Sequence, residues 1–308
     1  MSTTRTDVAP DGTTFADLRD LAAGVALQAA GLVRRERALG VEVTATKTSA
    51  IDIVTATDHA SEALVRSLLA RLRPDDGVVG EEDDPRDGTS GVRWVVDPVD
   101  GTVNFLYGIP QYAVSLAVQV PDADSPLGDG WRTVAGAVVN VATGELFEAH
   151  EGGGARRGGE PLAVRRTVPL AQRLVLTGFS YDAEQRRRQA QALVGLLPAV
   201  RDIRRMGSAA LDLCAVGAGH ADAYLEEGTR LWDHAAGVLV AAEAGARWEL
   251  LPGAGGRPLL LCAPADGFDE IRDAVVAAGF SEATPGGTDA EADTPAETPA
   301  DTPQHTAE

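Results

Sequence analysis

Helical and strand-type hydrophobic periodicities alternate along both halves of this chain, which restricts it to a layered α/β or α+β architecture. From residue 14 to about 39, Phe15, Leu18, Leu21, Ala22, Val25, Ala29 and Leu32 recur at helical spacing. Residues 58–72 repeat the pattern with Ala60, Leu64, Leu68 and Leu72 on one face. Short β-type runs follow at 92–96, 112–120, 133–139 and 145–149. Further helices are expected at 183–197, 209–217, 232–243 and 267–278, with a buried strand at 259–263. Residues 152–159 read as a glycine-rich turn in which Arg156 and Arg157 are solvated.

The ends have a different composition. Residues 1–12 are polar and lack the apolar core of a secretory signal, so they read as a disordered leader. Residues 281–308 are acidic and rich in Pro and Thr, and cannot bury enough apolar surface to fold alone. The folded domain is therefore expected to span 13–280. No apolar run is long enough to cross a bilayer, and a cytoplasmic protein is the simplest reading. The two cysteines, Cys214 and Cys262, belong to no Cys/His cluster and read as buried structural thiols. The net charge is −19, and the last 28 residues supply seven of the acidic groups with no Lys or Arg. A chain this acidic repels nucleic-acid backbones and anionic membranes, so neither is an expected partner. It would need bound cations to accept a phosphate.

Four segments carry candidate chemistry. In Trp94-Val95-Val96-Asp97-Pro98-Val99-Asp100-Gly101-Thr102, a buried strand runs into two carboxylates separated by a proline and followed by a glycine. Proline fixes φ and glycine permits a tight path, so Asp97, Asp100 and a carbonyl between them can face one point, as a hard divalent cation requires. An ordinary polar turn has the same composition. In Val78-Val79-Gly80-Glu81-Glu82, a short strand ends in carboxylates that could lie beside Asp97, although Asp83 and Asp84 extend the run as a solvated acidic loop would. In Leu231-Trp232-Asp233-His234-Ala235-Ala236-Gly237, Asp233 stands where a helix N-cap belongs, and the small residues after it allow close helix packing. A fourth segment, residues 47–58, holds Lys47, the only lysine, and Asp58, which could also be a cap. His234 adjoins Asp233, but neighbouring side chains on a helix diverge, so a catalytic base is not expected there.

Together, GEE, WVVDPVDGTVNF, WDHAAG and EAG resemble the inositol monophosphatase family in order and spacing, as do DIVTATD, Arg205 to Ala210 and Gly219 to Tyr224. The resemblance covers about residues 15–278. It implies an α/β, αβαβα five-layered sandwich and a homodimer. It implies two or three Mg²⁺ ions held by Glu81, Asp97, the Val99 carbonyl, Asp100 and Asp233. Glu81 and Thr102 would position the attacking water, and Asp58 would hold the threonine hydroxyl. Gly101 and Thr102 would offer amides to phosphate, while Gly207, Ser208, Ala209 and Glu226 would contact the rest of the substrate. The implied reaction is lithium-sensitive, Mg²⁺-dependent hydrolysis of a small phosphomonoester, with inositol 1-phosphate the leading substrate. Alternatives are histidinol phosphate, fructose 1,6-bisphosphate and a 3′-phosphoadenosine 5′-phosphate. A metal-binding interaction protein that kept the fold is the alternative of a different class. Val103 and Gly158 depart from the family's usual threonine and asparagine, and neither is a ligand position.

Overall fold

The computed structural model describes residues 7–40, 43–46 and 53–282. Lys47 and the residues up to Asp52, together with 1–6 and 283–308, lie outside the described residues.

The chain opens with α1 (Phe15–Leu39), a short antiparallel pair of β1 (Val43–Thr46) and β2 (Ile53–Thr55), and α2 (Ala56–Leu72). A seven-stranded sheet follows in sequence order: β3 (Gly77–Gly80), β4 (Arg93–Asp100), β5 (Ala113–Pro121), β6 (Trp131–Asn140), β7 (Leu146–His150), β8 (Gly154–Arg157) and β9 (Glu160–Pro161). Within this sheet β3–β4 pair in parallel and the remaining neighbours pair antiparallel. The six-residue α3 (Thr102–Tyr107) sits between β4 and β5. The second half adds β10 (Leu174–Thr177), α4 (Ala183–Leu196), β11 (Asp202–Arg204), α5 (Ala209–Gly217), β12 (Ala223–Glu227), α6 (Leu231–Glu243), β13 (Ala246–Pro252), β14 (Pro258–Pro264) and α7 (Phe268–Ala277). Its five strands are ordered β11-β10-β12-β14-β13.

Strand parity stacks these elements into five layers. Trp94, Val96, Leu116 and Val118 pack under α1 and α2, through Phe15, Leu18, Val33, Val65 and Leu69. The alternate residues Val95, Ala113, Ala117 and Val138 face α5 and α6, through Ala210, Cys214, Ala236 and Val240. The opposite side of that helix pair, with Leu213, Val216 and Val238, covers Leu176, Tyr224, Leu260 and Cys262 of the second sheet. The sheet's outer face, with Val175, Leu225, Leu259 and Leu261, is covered by Leu196 of α4 and by Phe268, Ile271 and Val275 of α7. The order is thus αβαβα, as the resemblance implied. The central helices can pack closely because of their small residues. A Cβ on Gly237 would lie 2.8 Å from Leu213 Cβ and 3.0 Å from the Ala210 carbonyl. Both cysteines are free and buried in this middle region.

Several sequence boundaries shift. Residues 7–12, read as leader, are packed in place. Val8 bridges Thr14, Ala9 is buried, and the Phe15 amide donates to the Asp7 carbonyl at 3.0 Å. At the other end Ser281 is buried, pairs with Gly253 and donates its hydroxyl to the Pro252 carbonyl at 2.7 Å. Strands β10, β12 and β13 are additions to the sequence reading, since β10 and β12 are short and β13 lacks alternation. Neither candidate cap residue is an N-cap. Asp58 and Asp233 sit at the third position of helices that start at Ala56 and Leu231.

Candidate active site

Strand β4 buries Val95 and Asp97 toward the central helices by simple alternation, which places a carboxylate between two hydrophobic layers. The pairing with β5 then breaks: Asp97 opposes Ser115, but Asp100 opposes Ala113. The extra residue is a bulge at Pro98-Val99, where proline's missing N–H costs no ladder bond. Val99, in the bulge, lines the same cleft as Asp97 and Asp100. The Val99 amide donates to Asp97 Oδ1 at 3.1 Å, and the Thr102 hydroxyl lies 3.0 Å from the Val99 carbonyl. Gly101 completes the turn at φ +90°, where a Cβ would lie 2.9 Å from the Gln111 carbonyl and 3.0 Å from that of Gly207. Only glycine is admitted there.

Glu81, at the end of parallel neighbour β3, shares a side-chain hydrogen bond with Asp97. Asp100 Oδ2 accepts the Ser208 hydroxyl at 2.5 Å and the Ala210 amide at 2.8 Å, both from the start of α5. Asp233 Oδ2 accepts the Arg230 amide at 2.6 Å across the first turn of α6. Glu81, Asp97, Val99, Asp100 and Asp233 all line one cleft of about 1170 Å³, together with Gly101 and Thr102. Three separate segments therefore supply one acidic wall of four carboxylates.

Electrostatics follows from that crowding. Burial, then the charges of Glu81, Asp100 and Asp233, push the Asp97 carboxyl well above the usual carboxylate range. Burial, then Glu81, does the same to Asp233. Burial raises Asp100 to about 6 despite the Ser208 hydroxyl and the Ala210 amide, which favour its ionised form. Buried carboxylates in this relationship call for a cation, and an all-oxygen set of carboxylates plus a carbonyl suits a hard divalent ion. Among the described residues no three such side chains are already closed on one point. Asp97, Asp100 and Asp233 each turn one oxygen to a protein N–H, which leaves the cage open toward the cleft.

The Thr102 hydroxyl also lies 3.2 Å from Asp58 Oδ1, while Asp58 Oδ2 accepts the Thr55 amide at 2.9 Å and the Thr55 hydroxyl. Asp58 is thus buried behind Thr102. Burial raises its pKa against the Thr55 hydrogen bonds. Gly207, Ala209 and Glu226 line the cleft. Ser208 does not: it is buried, N-caps α5 through the Leu211 amide at 3.3 Å and spends its proton on Asp100. Its place is behind a carboxylate, and not on the substrate wall. Glu226 accepts the Tyr224 hydroxyl at 2.9 Å, and burial raises it to about 7 against that bond and the charge of Arg205. A Cβ on Gly178 would lie 1.8 Å from a Glu226 oxygen, so glycine there makes room for the carboxylate.

His234 points away from the acidic wall. It lines a separate cavity of about 240 Å³ with Trp131, Leu239 and Trp248, and burial lowers its pKa to about 4. It is therefore not a base in the cleft. Glu62 is a positioning residue absent from the sequence reading. It is fully buried on α2 and accepts the Glu82 amide at 2.9 Å, the Asp83 amide at 3.2 Å and Arg66 Nε at 2.8 Å. A Cβ on Gly80 would lie 2.1 Å from Glu62 Oε1, so the carboxylate can hold this strand end only because residue 80 is glycine. The sequence signal was the spacing of Asp58 and Glu62, one helical turn apart on one face.

Known proteins resemble this chain over most of its length. The inositol-1-monophosphatase SuhB of Mycobacterium tuberculosis strain H37Rv is 46% identical over 276 residues, covering 83% of this chain and 92% of the relative. The Escherichia coli K12 protein called Nus factor SuhB is 36% identical over 228 residues, covering 73% and 82%. The solved structure of Mycobacterium tuberculosis SuhB superposes with a TM-score of 0.72 at 42% identity, covering 88% of this chain and 98% of that one. A family match described as "Inositol monophosphatase family" spans residues 16–279, from the first turn of α1 to the residue pair after α7. The chain therefore belongs to the inositol monophosphatase family.

Proposed function

We propose that this chain hydrolyses a small polyol phosphomonoester, with inositol 1-phosphate the first candidate, at a Mg²⁺ site held by Glu81, Asp97, the Val99 carbonyl, Asp100 and Asp233. The observation that carries the reading is the gathering of four carboxylates at the bulged end of β4, beside the Gly101-Thr102 turn. The name of the Mycobacterium tuberculosis relative supports the substrate.

When bound, two or three Mg²⁺ ions would supply the positive charge that offsets the phosphate and lowers the pKa of water. The protein's part is orientation. Asp58 accepts the Thr102 proton, which leaves the hydroxyl oxygen free to accept from the attacking water. Glu81 holds that water from the opposite side. The amides of Gly101 and Thr102, at the start of α3, donate to phosphate oxygens. Glu226 accepts from a substrate hydroxyl.

The same reading includes lithium sensitivity, a homodimer and a cytoplasmic location without a membrane or nucleic-acid partner. A lithium dose series, sedimentation and fractionation test these parts. Among the described residues no helix is long and apolar enough to cross a membrane. The central test is Asp100→Asn and Asp233→Asn. Each should lower Mg²⁺-dependent turnover of inositol 1-phosphate by more than about a hundredfold, since losses even behind a ligand cost 10–100-fold. Each should also weaken Mg²⁺ binding in calorimetry. Near-wild-type values for either variant would overturn the assignment.

A further inference from the structure

Charge is distributed unevenly around the cleft. Its wall carries the carboxylates of β4 and their neighbours, whereas its rim carries Arg188 of α4, Arg230 before α6 and Arg257 from the β13–β14 turn, all exposed. The acids beside this rim are already engaged. Glu227 Oε1 accepts the amides of Gly255 at 2.8 Å and Arg257 at 3.1 Å. Asp182 accepts the Gln185 amide at 2.8 Å, and Glu184 pairs with Arg187, with Arg188 a more distant 3.9 Å away. Among the described residues Arg230 and Arg257 form no side-chain ion pair. In a chain of net charge −19, exposed arginines left over at a cleft mouth offer a local field that attracts anions.

The fold delivers a polyanion to this place. After α7 the chain runs antiparallel to the end of β13: the Ala254 amide donates to the Phe280 carbonyl at 3.0 Å, Ser281 bridges Gly253, and the Glu282 amide donates to the Pro252 carbonyl at 3.0 Å. The carbonyl of the same Ala254 accepts Arg188 Nη1 at 3.2 Å, and the next residue, Gly255, lines the cleft with Arg257. The described residues thus end at Glu282, against the turn that builds the arginine rim. Residues 283–308 lie beyond the family match, which ends at 279. They hold six carboxylates, on Asp289, Glu291, Asp293, Glu297, Asp301 and Glu308, and no Lys or Arg. A segment of that length spans up to about 86 Å when extended and about 28 Å as a flexible coil, so its acids reach the whole rim. Such a tether holds them there at an effective concentration on the order of millimolar, which populates ion pairs that are individually weak.

We infer that the arginine rim is the docking surface for this chain's own acidic segment, residues 283–308, and that the docked segment competes with an anionic substrate for the cleft mouth. The competition rests on the phosphatase reading; the docking does not. Carboxylates of the segment pair with Arg188 and Arg257, narrow the entry and repel an approaching phosphate. Because the contact is reversible, it raises KM and leaves kcat unchanged.

The native full-length chain is compared with a full-length variant whose six carboxylates are neutralised: Asp289→Asn, Glu291→Gln, Asp293→Asn, Glu297→Gln, Asp301→Asn and Glu308→Gln. Phenylglyoxal labelling read by mass spectrometry, in millimolar Mg²⁺ without substrate, reports on the rim directly. Arg188 and Arg257 should react about threefold or more faster in the neutralised protein at low salt, and equally in both proteins near 1 M salt, where the screening length falls to about 3 Å. Arg71, exposed on α2, is the internal reference and should not change. Equal low-salt rates at Arg188 and Arg257 would overturn the docking. Protection that appears only as protein concentration rises would place the segment on a second copy and overturn it as well. With inositol 1-phosphate, neutralisation should lower KM about threefold or more at constant kcat, and the change should vanish in the Arg188→Gln/Arg257→Gln background. A KM that does not move would overturn the competition, and a change that survives in that background would overturn the rim as its site. Absence of Mg²⁺-dependent turnover in all of these proteins would remove the phosphatase reading, and the labelling would still decide the docking.

Discussion

Glu62 Oε2 accepts the backbone amide of Glu82 at 2.9 Å, which ties helix α2 to the strand end that presents Glu81. A fully buried carboxylate thus spends its hydrogen-bonding capacity on the backbone next to a cleft residue and on Arg66. Glu62→Gln should keep the shape, lose the charge and replace one acceptor by a donor that faces a backbone amide N–H, that of Glu82 or that of Asp83. The expected cost is about 1.5–3 kcal/mol of stability. Activity should fall mainly through a higher Mg²⁺ requirement, because Glu81 loses its fixed position. Urea melts and Mg²⁺ titrations of turnover check both. Unchanged Mg²⁺ dependence would show that the 81–83 loop is held by other contacts.

Cations and protons should compete for the same wall. Asp100 and Glu226 have folded pKa values of about 6 and about 7 against ordinary values of 3.8 and 4.5. A carboxyl raised in this way contributes stability that is complete below its unfolded pKa and is lost as pH rises through the folded one. In cation-free protein this loss runs from about pH 4 to 7 and is on the order of 2 kcal/mol per group, after allowance for partial exposure. His234 acts with the opposite sign. Its folded value of about 4 lies below 6.5, so stability falls as pH drops through that window. That contribution cancels when the same pH is compared with and without cation. Millimolar Mg²⁺ should therefore raise the melting temperature more at pH 8 than at pH 5. An equal shift at both values would contradict the carboxylate cage.

Helix α6 presents Asp233 to the cleft because α5 and α6 pack closely at Gly237. Gly237→Ala puts a methyl 2.8 Å from Leu213 Cβ, against a backbone carbonyl that cannot retreat cheaply. Overpacking of this kind costs about 1–3 kcal/mol, more than the gain of up to about 1 kcal/mol in helix propensity. Thermal unfolding should show a net loss. A stabilised variant would mean that the two helices separate freely.

The folded body continues past residue 280. A chain ending at Phe280 loses the Ser281 hydroxyl bond to Pro252 and the Glu282 amide bond to the same carbonyl, at 2.7 and 3.0 Å. It should be less stable than a chain ending at Glu282 by about 1–3 kcal/mol. Identical melting curves would restore the sequence-based boundary at 280/281.

Much of this architecture was legible in the sequence. Helical spacing over Phe15 to Leu32 and the apolar run at 92–96 each match one observed element, because period and burial are local properties of a layer. The DPVDGT turn was legible for the same reason, since proline and glycine restrict the backbone wherever they stand. Tertiary structure decided the partners. Ser208 read as a substrate contact, but its hydroxyl turns inward because α5 starts against Asp100 at the end of β4. Asp58 and Asp233 read as caps, which puts the helix starts about one turn too late, because a carboxylate at the third helical position can reach back to the amide of the capping residue. Glu62 shares a helical face with Asp58 in the sequence, but its partners, the Glu82 and Asp83 amides, lie twenty residues on and have no local signature. That contact depends on a helix and a strand end brought together from separate parts of the chain, and only the packing of five layers fixes the distance between them.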